Sequence, residues 1–416
     1  MNKLFQKYLS KHEVYNSSEQ DLDKKDIRVV IPVFLEQDYI DSLLESIVIS
    51  ATKCDVAIQL VLVVNYAEGS SPEVMESQHR MYNYLLKKKE EYSCYFSIAV
   101  IQAYNLKKKH AGAGWARKIG MDYAVFRYNE EQNPKGIILS LDADCKVKSD
   151  YFNAVWKKFN EEPINGFTIQ FQHEMVGVNE IQKEAILQYE LHLRYYLKAL
   201  RWAGHPYAFH TVGSCFAVTA EAYVRAGGMP RKQAGEDFYF LQKVIPLGRF
   251  KELNNTCVYP SSRISNRVPF GTGPTVSKLM KNQNDYLTYN LQAFVDLKEM
   301  LDEKEKFFKV DEEQYADLIN NLSGRIRSFL LNSNFYQELS NINNNCASLD
   351  AFKKRFFEVF DAFKVVKYLN YVHVHFLEKI AVFDAALDLI DLQEKESDDL
   401  MDTLDLLTYY RKWEIE

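Results

Sequence analysis

The sequence predicts an α/β domain built on a mainly parallel, Rossmann-like sheet with helices on both faces, followed by an all-helical region. Three observations carry this. Between Ile27 and Leu141, short apolar runs alternate with stretches of helical periodicity, the β-α-β-α-β-α-β order of a parallel sheet. Those runs are continuously apolar, as strands covered on both faces are. Beyond Pro274 the strand signals stop and only the helical period persists.

Residues 1–26 are charged and lack a strong period, and are expected to form an arm or a short helix. Ile27-Arg28-Val29-Val30-Ile31-Pro32-Val33 is the first strand, with Pro32 expected where pairing stops. Asp38 is expected to cap a helix whose Ile40, Leu43, Leu44 and Ile47 share one face. A second strand, Ala57 to Val64, ends at Asn65 and a Gly69-Ser70-Ser71-Pro72 turn. After a helix rich in Lys and Glu comes the third strand, Phe96 to Gln102. The Gly112-Ala113-Gly114 loop opens a helix from Trp115 to Phe126, and Ile137 to Leu141 is the fourth strand.

Phe167 to Phe171 reads as a further short strand. The long helix from Glu180 to Trp202 is apolar on two faces, as one clasped between layers would be. In the tail, Phe352, Phe356, Phe360 and Phe363 form one helical stripe. The expected organisation is an arm over residues 1–26, a first domain over 27–275 and a helical domain over 276–416.

A chain of 416 residues that is 47% hydrophobic can bury a substantial core. The net charge of -6 argues against nucleic acid as a partner. Six scattered cysteines, without a C-x-x-C pair, read as reduced thiols of a cytoplasmic protein. Met1 to Leu9 is interrupted by Lys3, Gln6 and Lys7, which does not fit a signal peptide. No apolar run is long enough to span a bilayer, so any membrane contact is expected to be peripheral, at the inner face.

The chemistry concentrates at strand ends. Asp142-Ala143-Asp144 follows the fourth strand directly, and ligands of open α/β sheets bind outside the carboxyl ends of strands. Two carboxylates there can hold a hard divalent cation, Mg²⁺ or Mn²⁺, which in turn grips a diphosphate. Farther on, Glu236-Asp237 offers a carboxylate for deprotonating a nucleophile, at a helix start that would keep it ionised. Arg117 lies just after a Gly-rich loop, where Gly112 and Gly114 would let backbone approach a ligand. Arg263 and Arg267 precede the Gly271-Thr272-Gly273-Pro274 loop and suit phosphate contact. His373 and His375, two residues apart, would not share a helix face and do not form a metal pair.

Five segments together resemble family 2 of the nucleotide-sugar glycosyltransferases, which have the GT-A fold. Ile31-Pro32-Val33-Phe34-Leu35-Glu36 is similar to the family's opening I-P-x-Y-N-E. Val63-Val64-Asn65-Tyr66-Ala67-Glu68-Gly69-Ser70 stands in the place of V-V-D-D-G-S. His110 to Arg117 stands where members carry N-x-G-x-x-x-A-R-N. Leu141-Asp142-Ala143-Asp144 matches the D-x-D, and Gly213-Ser214-Cys215-Phe216 through Gly227-Gly228 resembles the acceptor-side segment before the E-D motif, here Glu236-Asp237.

The resemblance implies a GT-A domain over 27–275. It implies that Pro32, Val33, Glu36, Asn65, Gly112, Arg117, Asp142, Arg263 and Arg267 line the nucleotide-sugar site. By the same resemblance Asp144 with Asp142 holds the metal, Asp237 is the base with Glu236 beside it, and Gly213 and Ser214 face the acceptor; Trp202, beside a Gly-Pro loop before that segment, is read either as stacking on an acceptor sugar or as a core residue. Asn65 departs from the family's aspartate, which leaves the choice of nucleobase open. The implied activity is metal-dependent, inverting transfer of a hexose-type sugar from a nucleotide diphospho-sugar, UDP favoured. The acceptor would be a hydroxyl of a glycan or lipid-linked molecule of cell-surface polysaccharide or glycolipid assembly. A retaining transferase of the same fold and a silent nucleotide-sugar-binding scaffold are the rival readings. The helical tail offers a surface for a homo-oligomer.

Overall fold

The computed structural model describes residues 3–18, 23–232, 235–264, 271–282, 285–395 and 400–415. The chain forms two compact units. Residues 1–177 and 211–274 make the first, and residues 178–210 and 275–416 the second.

The first unit is organised by an eight-stranded sheet. Its strands are β1 (Ile27–Val33), β2 (Ile58–Ala67), β3 (Ser97–Leu106), β4 (Ile137–Ser140), β5 (Lys146–Val147), β6 (Gly166–Phe171), β7 (Phe216–Thr219) and β8 (Phe250–Tyr259). Their order across the sheet is β3-β2-β1-β4-β7-β6-β8-β5. β1 pairs parallel with β2 and β4, β2 with β3, and β6 with β8. β7 runs antiparallel between β4 and β6, and β5 antiparallel to β8. The mainly parallel sheet expected from sequence is therefore present, and its runs are apolar because both faces are covered. Nine of the ten residues of β2 are buried, as is all of β1.

Several boundaries differ from the sequence reading. β2 and β3 extend three and four residues past their expected ends, because they go on pairing as far as Ala67 and Leu106, across a register shift between Asn65 and Ala67. Pro32 does not stop pairing on both sides. β1 leaves β4 after Val30 but stays in register with β2 through Val33. Asp38 is not the cap of the first flanking helix. That helix, Ile40–Ala51, has Tyr39 at its cap position and no side-chain cap.

The second unit holds the long helix Glu180–Trp202, whose Leu191, Tyr195, Glu190 and Arg194 are fully buried. This helix packs within the second unit, with Val382–Leu392 and Thr403–Ile415 against it. The expected tail stripe is interrupted. Phe352 and Phe356 lie on the helix Leu349–Val359, but Phe360 leaves helical geometry at φ -87°, ψ 58°. Asp361 then caps a new helix, Ala362–His375, accepting from Lys364 N at 2.9 Å. The rings still gather: Phe356 lies 5.9 Å from Phe335 and 6.2 Å from Phe360. The tail is also not wholly helical, since Leu287–Thr288 and Ile380–Ala381 pair as a short antiparallel ladder.

Candidate active site

The strand order reverses between β1 and β4, which opens a crevice at their carboxyl ends. Glu36 enters it from β1, and Asp142 and Asp144 from β4. Arg263 lies across it. Its guanidinium meets Glu36 Oε2 at 2.7 Å and Oε1 at 2.8 Å, and its Nε is 2.7 Å from Asp144 Oδ2. The Tyr39 ring backs the guanidinium at 4.1 Å.

One guanidinium thus faces two carboxylates in a partly enclosed place. Burial, reinforced by Asp144, pushes the Glu36 carboxyl up to about 8. Burial likewise pushes Asp144 up to about 6, with Arg263 opposing.

Arg117 forms the second node. It lies on the first turn of the helix Ala113–Glu130 and is 2% exposed. One amino group holds Asp142 Oδ1 at 2.5 Å and the other holds Glu236. Burial opposes its charge, but Asp142, Glu236 and Asp237 outweigh that and keep it protonated. Glu236 and Asp237 begin the helix Glu236–Val244, after Gly235 in the left-handed region at φ 69°. Asp237 is more exposed than Glu236, and its Oδ1 accepts from Phe238 N at 2.7 Å. Burial, then the Glu236 carboxylate, pushes Asp237 up to about 7, against the pull of Arg117. Burial also raises Glu236.

The acceptor-side segment closes this node. A Cβ on Gly213 would lie 3.0 Å from an Arg117 amino group and 3.1 Å from Asp237 Oδ2. Ser140 at the end of β4 donates to Gly213 O at 2.6 Å, and Ser214 is buried beside Cys215.

The structure therefore brings together Glu36, Arg117, Asp142, Asp144, Gly213, Glu236, Asp237 and Arg263. Other expected site residues have different surroundings. Asn65 is 4% exposed and spends its amide nitrogen on Val33 O and Val63 O, at 3.2 and 3.3 Å. Gln78 completes this clasp by donating to Val33 O and Asn65 O. Asn65 and Val33 thereby fasten β1 to β2, and Pro32 is held in the same ladder. Gly112 caps the Arg117 helix, and Gly114 makes its close approach to Lys232 and Glu236 of this chain. Trp202 belongs to the second unit, where Lys298 Nζ stands 5.7 Å over its ring. Arg267 lies outside the described residues. Gly271-Thr272-Gly273-Pro274 was expected to be a loop, but a helix, Thr272–Asn282, begins inside it.

Sequence reasoning missed the pairing of Arg263 with Glu36 and Asp144, and the Tyr39 ring beneath it. No local signal points to either, because both are contacts over long sequence separations. The Gln78 clasp escaped for the same reason.

Oxygen donors suit a hard divalent cation, and Asp144 with Asp142 presents two carboxylates at this strand edge. Among the described residues no group of three or more His, Cys, Asp or Glu side chains is assembled around one point. The residues fit Mg²⁺ or Mn²⁺ only as a partial shell, since Arg263 stands 2.7 Å from Asp144 Oδ2 and Arg117 holds Asp142 Oδ1.

No family model and no curated protein matches the chain. Among solved structures it is similar to S. aureus TarS 1–349 in complex with UDP-GlcNAc, at 12% identity and a TM-score of 0.40, over 81% of this chain and 92% of that one. The same TarS segment in complex with UDP gives 14% identity and a TM-score of 0.38, with the same coverage. Both likenesses are remote. No described helix is long and apolar enough to cross a membrane.

Proposed function

We propose that the chain is a glycosyltransferase that moves a sugar from a nucleotide diphospho-sugar to a hydroxyl acceptor with inversion. The observation that carries this reading is Arg117, which ties the D-x-D carboxylate Asp142 to the Glu236–Asp237 pair. That tie sets an anion-rich donor crevice next to a separate carboxylate whose pKa is raised toward neutrality, the arrangement a general base needs.

In this reading the donor's diphosphate lies in the β1–β4 crevice. Arg263 turns from Asp144 and Glu36 to the phosphate oxygens, for which its forked donors are suited. Asp144, with Asp142, would hold Mg²⁺ or Mn²⁺, which when bound supplies Lewis-acid stabilisation of charge on the departing diphosphate. Arg117 holds Glu236 in place and pulls against the rise that burial gives it, and the Glu236 carboxylate in turn raises the basicity of Asp237. Asp237 takes the proton of the acceptor hydroxyl as the anomeric carbon becomes oxocarbenium-like. Gly213 and Ser214 border the space for that hydroxyl. The acceptor is a glycan or lipid-linked hydroxyl on the cytoplasmic side, and UDP is the favoured nucleotide.

A thermal-shift screen of UDP-, GDP- and dTDP-sugars with and without Mn²⁺ tests this, followed by donor hydrolysis without acceptor. One nucleotide class should stabilise the protein and be hydrolysed slowly to the inverted sugar. Silence toward every donor would refute the transferase reading, and a retained anomer would refute inversion.

A further inference from the structure

We propose that the N-terminal helix Lys3–Leu9 is a positioning element for the Glu236–Asp237 pair, acting through Tyr8. The catalytic importance of that pair rests on the function proposed above, but the mechanical link stands on its own geometry.

Phe5 is 0% exposed and Tyr8 7%, so this short helix is seated in the first unit. The Tyr8 hydroxyl donates to Asp122 Oδ1 at 2.7 Å and accepts from Lys118 Nζ at 3.0 Å. Lys118 also meets Asp122 Oδ2 at 2.8 Å, and Tyr223 donates to Asp122 Oδ1 at 2.7 Å. Four polar side chains from three helices thus satisfy one another in the interior, where each unmade bond would be costly. Burial raises the Tyr8 hydroxyl and lowers the Lys118 ammonium, so this cluster tolerates loss of a member poorly.

The cluster touches the site twice. Lys118 is the neighbour of Arg117 on one helix, and successive residues point about 100° apart. One turn therefore grips Tyr8 and Asp122 on one side, and Asp142 and Glu236 on the other. The second contact is the segment that leads to Glu236. Gly228, at φ 75°, passes so near that a Cβ there would collide with the Tyr8 hydroxyl. Met229 follows, 1% exposed. Arg231 O then lies 3.2 Å from His110 Nδ1, while the Arg231 guanidinium stands 5.4 Å over Trp115. A Cβ on Gly114 would strike Lys232 O and lie 2.8 Å from Glu236 Cγ. Residues 228–232 are held by Tyr8 at one end and by the first turn of the Arg117 helix at the other, and that same turn meets Glu236.

Hydrogen exchange read by mass spectrometry on the full chain tests this without any ligand. Tyr8→Phe removes one hydroxyl and keeps the ring; Tyr8→Ala removes both. Exchange should quicken at least about fivefold at residues 229–232 and 235–241, with the helix Tyr151–Glu161 unchanged. Donor hydrolysis by Tyr8→Phe should lose about tenfold in kcat with KM and UDP affinity within about twofold, as for a displaced catalytic group. Phe5→Leu is the packing control, expected to lower Tm while leaving the 235–241 amides and kcat near wild type. Unchanged exchange in a folded Tyr8→Ala protein would overturn the proposal, as would equal kcat losses in Tyr8→Phe and Phe5→Leu at equal Tm. Faster exchange together with a fully active Asp237→Asn variant would uphold the mechanical link and sink the Asp237 reading instead.

Discussion

Arg263 Nε lies 2.7 Å from Asp144 Oδ2, so a side chain of the β8-to-helix connection neutralises the second acid of the D-x-D. The same guanidinium serves Glu36, which it meets at 2.7 Å. Arg263 and a divalent cation would compete for one position. Both are positive, and both suit a crevice lined by carboxylates.

Asp144→Asn should abolish metal-dependent donor binding, because a neutral amide replaces a charged oxygen ligand. Arg263→Ala should have the opposite effect on the metal, tightening Mn²⁺ binding in the absence of nucleotide while weakening the nucleotide. Calorimetry with Mn²⁺ alone, and then with a UDP-sugar and Mn²⁺, separates the two. Asp144→Asn with unchanged Mn²⁺-dependent affinity would remove Asp144 from the metal site.

Asp237→Asn should keep donor affinity and the fold but lose about 10²–10⁴-fold in transfer, the range expected for removing a general base. The wild-type rate should climb as pH rises through about 7, because only the ionised carboxylate can accept a proton and burial has raised its pKa to that region. The residual rate of the variant should lack that limb. A pH–rate profile with the same limb in wild type and variant would show that another group governs it.

Much of this was legible because it is local. The β-branched run Ile27 to Val33, or the apolar run Ile137 to Leu141 with Asp142 directly after it, states both the strand and the edge at which the acids emerge. Arg117 could be found from its place after a glycine loop. The seating of Tyr8 could not, since Asp122 is 114 residues away. The allegiance of the Glu180–Trp202 helix was equally hidden. Two apolar faces say that a helix is covered, and nothing in its period says by which segment. The break at Phe360 did carry a signal, the capping residue Asp361, but the phenylalanine spacing masked it.

Glu36→Gln should alter how stability depends on pH. The folded-state pKa of Glu36 is raised to about 8, so between the ordinary glutamate range and pH 8 the folded protein binds more protons at this site than the unfolded chain. Wild-type stability should therefore fall as pH rises through that window. The glutamine variant has no proton to lose there, so its Tm should decline less between pH 5 and pH 8 than that of wild type. Parallel Tm-against-pH curves would mean that Arg263 compensates Glu36 fully.

The last helix, Thr403–Ile415, should prove indispensable to the second unit. Glu414 is paired with Arg194 and with His210, whose Nε2 is 2.9 Å from Oε1. Arg194 is fully buried and also holds Glu190 Oε1 at 2.9 Å, while Arg411 meets the same oxygen at 2.8 Å and Oε2 at 3.0 Å. Burial works against the Glu414 charge, but His210 and Arg194 overcome it and hold its pKa down at about 2. Glu414 thus contributes stability that is present above the ordinary glutamate range and is lost only as pH falls toward 2. Glu414→Gln leaves Arg194 in the interior with one charge partner fewer, a loss of about 3–5 kcal/mol if the pair behaves as buried ion pairs do. Denaturant unfolding at neutral pH measures it. Removing residues 281–416 should be worse, because Leu191, Tyr195 and Arg194 would lose the helices that cover them. That truncate should aggregate. A deletion that leaves a monomeric, cooperatively folding protein would show that the Glu180–Trp202 helix does not depend on the tail.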